Sequence, residues 1–149
     1  MRETIAQALK DALKSRDKMR TGTLRLINAA IQDRDIANRG AGKDPVNDDE
    51  ILQILTKMVK QREESARAFE EGGRIELAEQ ERGEIAIIKE YLPSQLGEAE
   101  TRAAAQEAIN ESGAAGLRDM GRVMAVLKER YPGRMDFSSA SAIVKELLG

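Results

Sequence analysis

An arginine stands beside a glycine twice near the end of this 149-residue chain, in Asp119-Met120-Gly121-Arg122-Val123-Met124 and in Gly133-Arg134-Met135-Asp136. Each pair falls at or near the start of a predicted helix, where free N–H groups and partial positive charge favour anions. That chemistry is contact with a backbone or an anion, not bond breaking. Arg118, Arg122, Lys128, Arg130, Arg134 and Lys145 also outnumber the acids Asp119, Glu129, Asp136 and Glu146 over residues 117–149. Gly121 would let another backbone come close, and the turn Tyr131-Pro132-Gly133-Arg134 would project an arginine. Met120, Met124 and Met135 are read as adaptable apolar surface. The candidate binding residues are therefore Arg118, Gly121, Arg122, Lys128, Gly133 and Arg134. Close helix packing explains Gly121 equally well, and a core position explains Met124.

Other polar groups read more simply. Glu76, Glu79, Glu81 and Glu84 could hold a divalent cation or divide acid and base roles, but a solvated helix face is the simpler account. Lys57, Lys60, Arg62 and Arg67 point around more than one helix face and have acidic neighbours, as an ordinary salt-bridged surface does. Arg62 interrupts an apolar seam and needs a carboxylate there, because an unpaired buried charge costs several kcal/mol. Glu81 or Glu84 is the expected partner, in a structural ion pair. The chain has no Cys and no His, which removes disulfides, thiolate zinc sites, Ser–His or Cys–His pairs and histidine bases. Neither a phosphate loop nor a dinucleotide fingerprint is present. Aromatic residues are only 3% of the chain, too few for a stacking platform along a single strand. No catalytic residue, metal or cofactor is expected.

The elements that position these groups are helices. A 34% charged, Ala-rich composition with 41% hydrophobic residues and three prolines is that of an all-α protein with an aliphatic core. Apolar spacing predicts one helix through Ile5, Leu9 and Leu13, and a second from about Lys18 through Met19, Thr23, Ile27 and Ile31. Asn47 and Glu50 form a capping box for a third, whose seam is Ile51, Ile54, Leu55, Met58, Arg62, Ala66 and Phe69. Gly72-Gly73 ends it, and a fourth helix runs through Ile75, Ala78, Ile85 and Ile88 to Pro93. The short turn makes these two a long antiparallel hairpin, with Arg62 opposite Gly83. Residues 1–93 are thus an N-terminal helical domain. Residues 94–149 are a small domain of three helices, with Gly113 as a C-cap, Asp119 and Asp136 as N-caps, and Ile109, Val123, Met124, Leu127, Ile143, Val144 and Leu147 as core.

The net charge of −2 conceals an uneven distribution. Residues 1–43 hold ten Lys/Arg against five Asp/Glu, a net of +5, while residues 44–92 sum to −6 and residues 93–149 to −1. Such asymmetry either creates a basic face or pairs a basic helix with an acidic one. Met1 leads directly into an amphipathic helix and no segment reaches membrane-span length, so a cytoplasmic protein without membrane partners is expected.

The two arginine–glycine runs, with Lys60-Gln61-Arg62-Glu63-Glu64-Ser65, Phe69, Gly73-Arg74, Leu77-Ala78 and Tyr91-Leu92-Pro93, closely resemble the YqeY family. That family comprises free-standing relatives of the C-terminal tail of GatB, a subunit of tRNA-dependent amidotransferases. The resemblance extends from about Ala6 to the C-terminus. It implies a helical hairpin domain, a compact C-terminal domain, and an association with tRNA held largely by backbone and shape. Gly121, Arg122, Val123, Met124, Gly133 and Arg134 match the family pattern. Ala125 stands where a second glycine is usual, Arg122 where lysine is frequent, and Gly97 where Ser or Thr caps the helix. The expected function is a non-catalytic tRNA-binding or accessory module, with tRNA or a tRNA-handling enzyme as partner and no DNA. The alternative is a protein-interaction adaptor. A third reading, implied by the family label, is a carbon–nitrogen ligase with glutamine as amido-N-donor.

Overall fold

The computed structural model describes all 149 residues, Met1 to Gly149. It is all-helical: α1 (Arg2–Ser15), α2 (Lys18–Gly40), α3 (Asp48–Glu71), α4 (Ile75–Lys89), α5 (Glu98–Ser112), a 3-10 turn (Leu117–Asp119), α6 (Met120–Arg130) and α7 (Phe137–Leu148). No helix is long and apolar enough to cross a membrane. The chain forms two compact units, Met1–Leu92 and Pro93–Gly149.

In the first unit, local sequence sets each helix end. α1 stops at Arg16, whose φ of 59° is left-handed, and Asp17 starts α2 by accepting the Arg20 N–H at 3.0 Å. Asn47 caps α3 by accepting the Glu50 N–H at 2.9 Å. Gly73 takes φ 75°, a conformation that favours glycine, so the chain turns directly from α3 into α4. The ion pairs Arg62–Glu84, Arg82–Glu70 and Lys89–Glu63 show the two helices running antiparallel. Ile5, Leu24, Ile27, Ile51, Leu55 and Ile88 are fully buried in the core of this unit. Gly22, inside α2, costs about 1 kcal/mol relative to alanine. Its buried neighbours Thr21, Thr23 and Leu24 offset that cost. Gly83 does have a close neighbour: a Cβ there would lie 2.6 Å from the sulfur of Met19.

The loop between α2 and α3 is fixed by polar contacts. Arg2 pairs with Asp35 through two hydrogen bonds, and Asp35 also accepts the Val46 N–H at 2.9 Å. The Arg2 guanidinium, helped by the Val46 N–H, holds the Asp35 carboxyl down at about 2. Buried Asn38 donates to the Asp44 carbonyl and to Glu50.

The second unit is built on alanine. Ala104, Ala105 and Ala108 bury one face of α5 against Val123 and Leu127 of α6 and Ala140 and Val144 of α7. Small side chains let the helices close up, which a unit of this size needs to exclude water. Gly113 ends α5 at φ 68°, and Asp136 caps α7 by accepting the Ser138 N–H. Two expectations fail here. Asp119 makes no side-chain cap to α6; its carboxylate turns back to accept the Ala115 N–H at 3.0 Å. Met135 is not adaptable surface but core, 3% exposed, because the turn before α7 directs it inward.

Candidate nucleic-acid interface

The cationic candidates of the second unit fall into two groups. Val123 and Leu127 anchor α6 in the core, so its opposite side faces solvent. At 100° per residue, Gly121, Arg122, Ala125, Lys128 and Glu129 share an outward arc of about 120°, and all five are exposed. Gly121, Ala125 and Lys128 follow one another at i, i+4 and i+7. A flat strip of minimal side chains thus runs along α6, with Arg122 on one flank and Lys128 at the end. A Cβ placed on Gly121 would meet nothing within 4 Å, so close helix packing within the chain does not account for this glycine.

Asp119 organises the entrance to α6. It pairs with Arg122 at 3.1 Å. The Ala115 N–H above all holds its carboxyl below the ordinary range; burial opposes it, and the Arg122 and Arg118 guanidinium groups add smaller pulls in the same direction as Ala115. One carboxylate therefore gathers Arg118 and Arg122 at the same helix end and leaves a net positive charge there. Lys128 reaches over the Phe137 ring, 6.0 Å from its centroid, which restricts the ammonium without neutralising it. Arg130, which follows on α6, pairs with Glu111 of α5.

Gly133 and Arg134 are engaged differently. Gly133 is buried with φ 72°, and its carbonyl accepts the Gln95 side-chain N–H at 2.6 Å. The Arg134 Nε donates to the Ser94 carbonyl at 3.0 Å, and its carbonyl accepts the Leu96 N–H at 2.8 Å. The guanidinium lies 5.8 Å from the Tyr131 ring centroid. This turn clasps the segment that leads into α5.

The pair expected in the first unit is present in one of its two forms. The Arg62 Nε donates to Glu84 at 3.2 Å, with side chains 15% and 16% exposed, and Arg62 also donates to the Met58 carbonyl. Glu81 is left as the poorly compensated carboxylate: burial, then the nearby Glu84 charge, push its carboxyl up against the pull of Arg62. No three carboxylates converge where one metal ion could sit. Sequence reasoning missed the outward strip, although the Gly121, Ala125, Lys128 spacing was its signal. It also missed the Lys128–Phe137 and Arg130–Glu111 contacts, which depend on how α5, α6 and α7 pack.

Comparison with known proteins gives a family and a small set of relatives. A Schizosaccharomyces pombe relative, whose name is uncharacterized protein, is 30% identical over 93 residues, covering 62% of this chain and 72% of its own length. The protein named altered inheritance of mitochondria protein 41, mitochondrial, of Clavispora lusitaniae is 40% identical over 86 residues, 58% of this chain and 48% of that one. Its Saccharomyces cerevisiae namesake is 31% identical over 84 residues, 56% of this chain and 44% of that one. The matched stretch is thus under half the length of these two mitochondrial relatives. The family described as Yqey-like protein matches residues 2–148, and with that span covered the chain belongs to the YqeY-like family.

Proposed function

We propose that this protein is a non-catalytic module that holds tRNA, or the tRNA of a tRNA-handling enzyme, through the outer face of α6. The observation that carries the reading is the exposed strip made by Gly121 and Ala125, flanked by Arg122 and Lys128. Minimal side chains let a sugar–phosphate backbone lie against the helix, and the two cations reach phosphates on either side. Arg118 adds a third cation at the helix entrance. Resemblance to the GatB tail supports the same reading. Covalent chemistry then belongs to a partner, and amidation with glutamine as donor is not ascribed to the isolated chain. The role suits a cytoplasmic protein, and it suits the compartment named for the Clavispora lusitaniae and Saccharomyces cerevisiae relatives, since translation and its tRNAs occur in both.

The test is retention of total tRNA by the purified chain. Arg122→Glu with Lys128→Glu is expected to weaken binding about tenfold or more at moderate salt. An equal charge change on exposed α3 positions, Lys57→Glu with Arg67→Glu, is expected to cost under about threefold. Failure of the wild type to bind tRNA even at low salt sinks the proposal, and so do equal losses in the two variants. Arg134→Glu is unsuitable for this purpose, because it breaks the Ser94 contact and confuses folding with binding.

A further inference from the structure

α2 leaves one long side uncovered. Gly22, Leu26, Ala29, Asp33, Ile36 and Gly40 follow one another in alternating steps of four and three residues, and all are exposed. Such alternation is the seam spacing by which one helix packs along another. Leu26 is 46% exposed and Ile36 66%, the latter the highest among the large exposed apolar residues. Gly22 weakens the helix it sits in, yet a Cβ there would meet nothing within 4 Å, so no contact inside the chain requires the glycine. On the border and within the seam stand two charges, Arg25 and Asp33, both exposed. Their helical neighbours at three and four residues include no opposite charge.

We infer that a second copy of this chain packs on this face, α2 against α2 and antiparallel, about a two-fold axis at Ala29. The residues are self-complementary about that position. Gly22 and Ile36 lie seven residues to either side of Ala29, so the Ile36 side chain of each copy fills the space above Gly22 of the other. Arg25 and Asp33 lie four residues to either side, so each copy's Arg25 meets the other's Asp33, twice per dimer. A two-fold interface requires this reciprocity of positions. The small Ala29 at the axis allows the helices the ~8–10 Å separation of close packing. A parallel pairing would instead set Arg25 against Arg25. Asp33, costly on an apolar seam alone, then fixes the register, as single polar seam positions do. One helix pair buries less than the ~1,200 Å² typical of stable complexes, so the dimer is concentration-dependent.

Sedimentation equilibrium of the full chain over a wide concentration range is the test. The wild type should shift from monomer towards dimer. Arg25→Asp and Asp33→Arg should each weaken self-association about tenfold or more, since each sets like charges opposite one another. An equimolar mixture of these two variants should recover dimer to within about threefold of wild type, because in the mixed pair every opposed charge is again of opposite sign. Gly22→Leu should abolish association while keeping or raising helix content and Tm, so loss of dimer cannot be mistaken for loss of fold. A wild type monomeric throughout overturns the inference. So does a dimer indifferent to all three substitutions, or a mixture that associates no better than its components.

Discussion

Glu81 and Glu84 sit three residues apart on α4 beside the same arginine, and their environments give them opposite effects on stability. Glu84 holds the Arg62 guanidinium at 3.2 Å, with both side chains largely buried. Removing either partner strands the other, and Arg62→Met or Glu84→Gln should each cost about 2 kcal/mol. A double-mutant cycle by chemical denaturation should return a clear coupling, and additive losses would deny it. Glu81 has its carboxyl pushed up, chiefly by burial. Folding therefore disfavours its charged form, so Glu81→Gln should raise stability at neutral pH. That gain should fade as the pH falls below the carboxyl's raised value, where the wild-type side chain is already neutral. Asp35 has the reverse sign. Its carboxyl is depressed to about 2 by Arg2 and the Val46 N–H, so its stabilising contribution is complete above about pH 4 and is lost as pH falls through about 2. Denaturation of Asp35→Asn against pH should show that acid limb flattened, with the variant less stable than wild type at neutral pH.

Elements were legible where their ends carry specific chemistry and illegible where their meaning lies in packing. Asn47 and Asp136 are caps because a short polar side chain at the helix start has N–H groups within reach, and Gly113 is a C-cap because the left-handed turn favours glycine. Asp119 misled because a carboxylate just before a helix has more than one N–H to choose from, and the Gly116 turn offers that of Ala115. Ala104, Ala105 and Ala108 carry too little apolar surface to stand out in a hydrophobic stripe, yet they make the core face of α5. Gly133 and Arg134 looked like an exposed projection from sequence, and only the approach of Ser94 and Gln95 discloses their role as a clasp. The α6 strip gives a prediction at this scale. A Cβ at position 121 has open space around it, and Gly121→Leu improves helix propensity, by at most ~1 kcal/mol. Thermal denaturation should show Tm unchanged or raised. If a nucleic-acid backbone lies on the strip, tRNA binding should nonetheless weaken about fivefold or more. Unchanged affinity would remove Gly121 from the interface and leave its presence in α6 without a role in binding.

The charge of the whole molecule limits how the proposed tRNA binding could work. Residues 1–92 and 93–149 each sum to −1, so no strong positive field draws a polyanion in from a distance. Affinity must come from the local cations. The outer face of α6 and its entrance supply three, Arg118, Arg122 and Lys128. Each neutralised phosphate contributes about 0.7–0.9 to the slope of log affinity against log salt, so the slope for tRNA should lie near −2 to −3. Arg122→Glu with Lys128→Glu should flatten it by about 2, a change that a general loss of folded protein does not produce, since unfolded chains lower the bound fraction at every salt. A slope steeper than about −5 would require more phosphate contacts than this face can make. The basic N-terminal segment, residues 1–43 with its net of +5, would then be the place to look for the others, and reversing Lys10 and Lys14 of α1 should flatten the slope where the α6 changes do not.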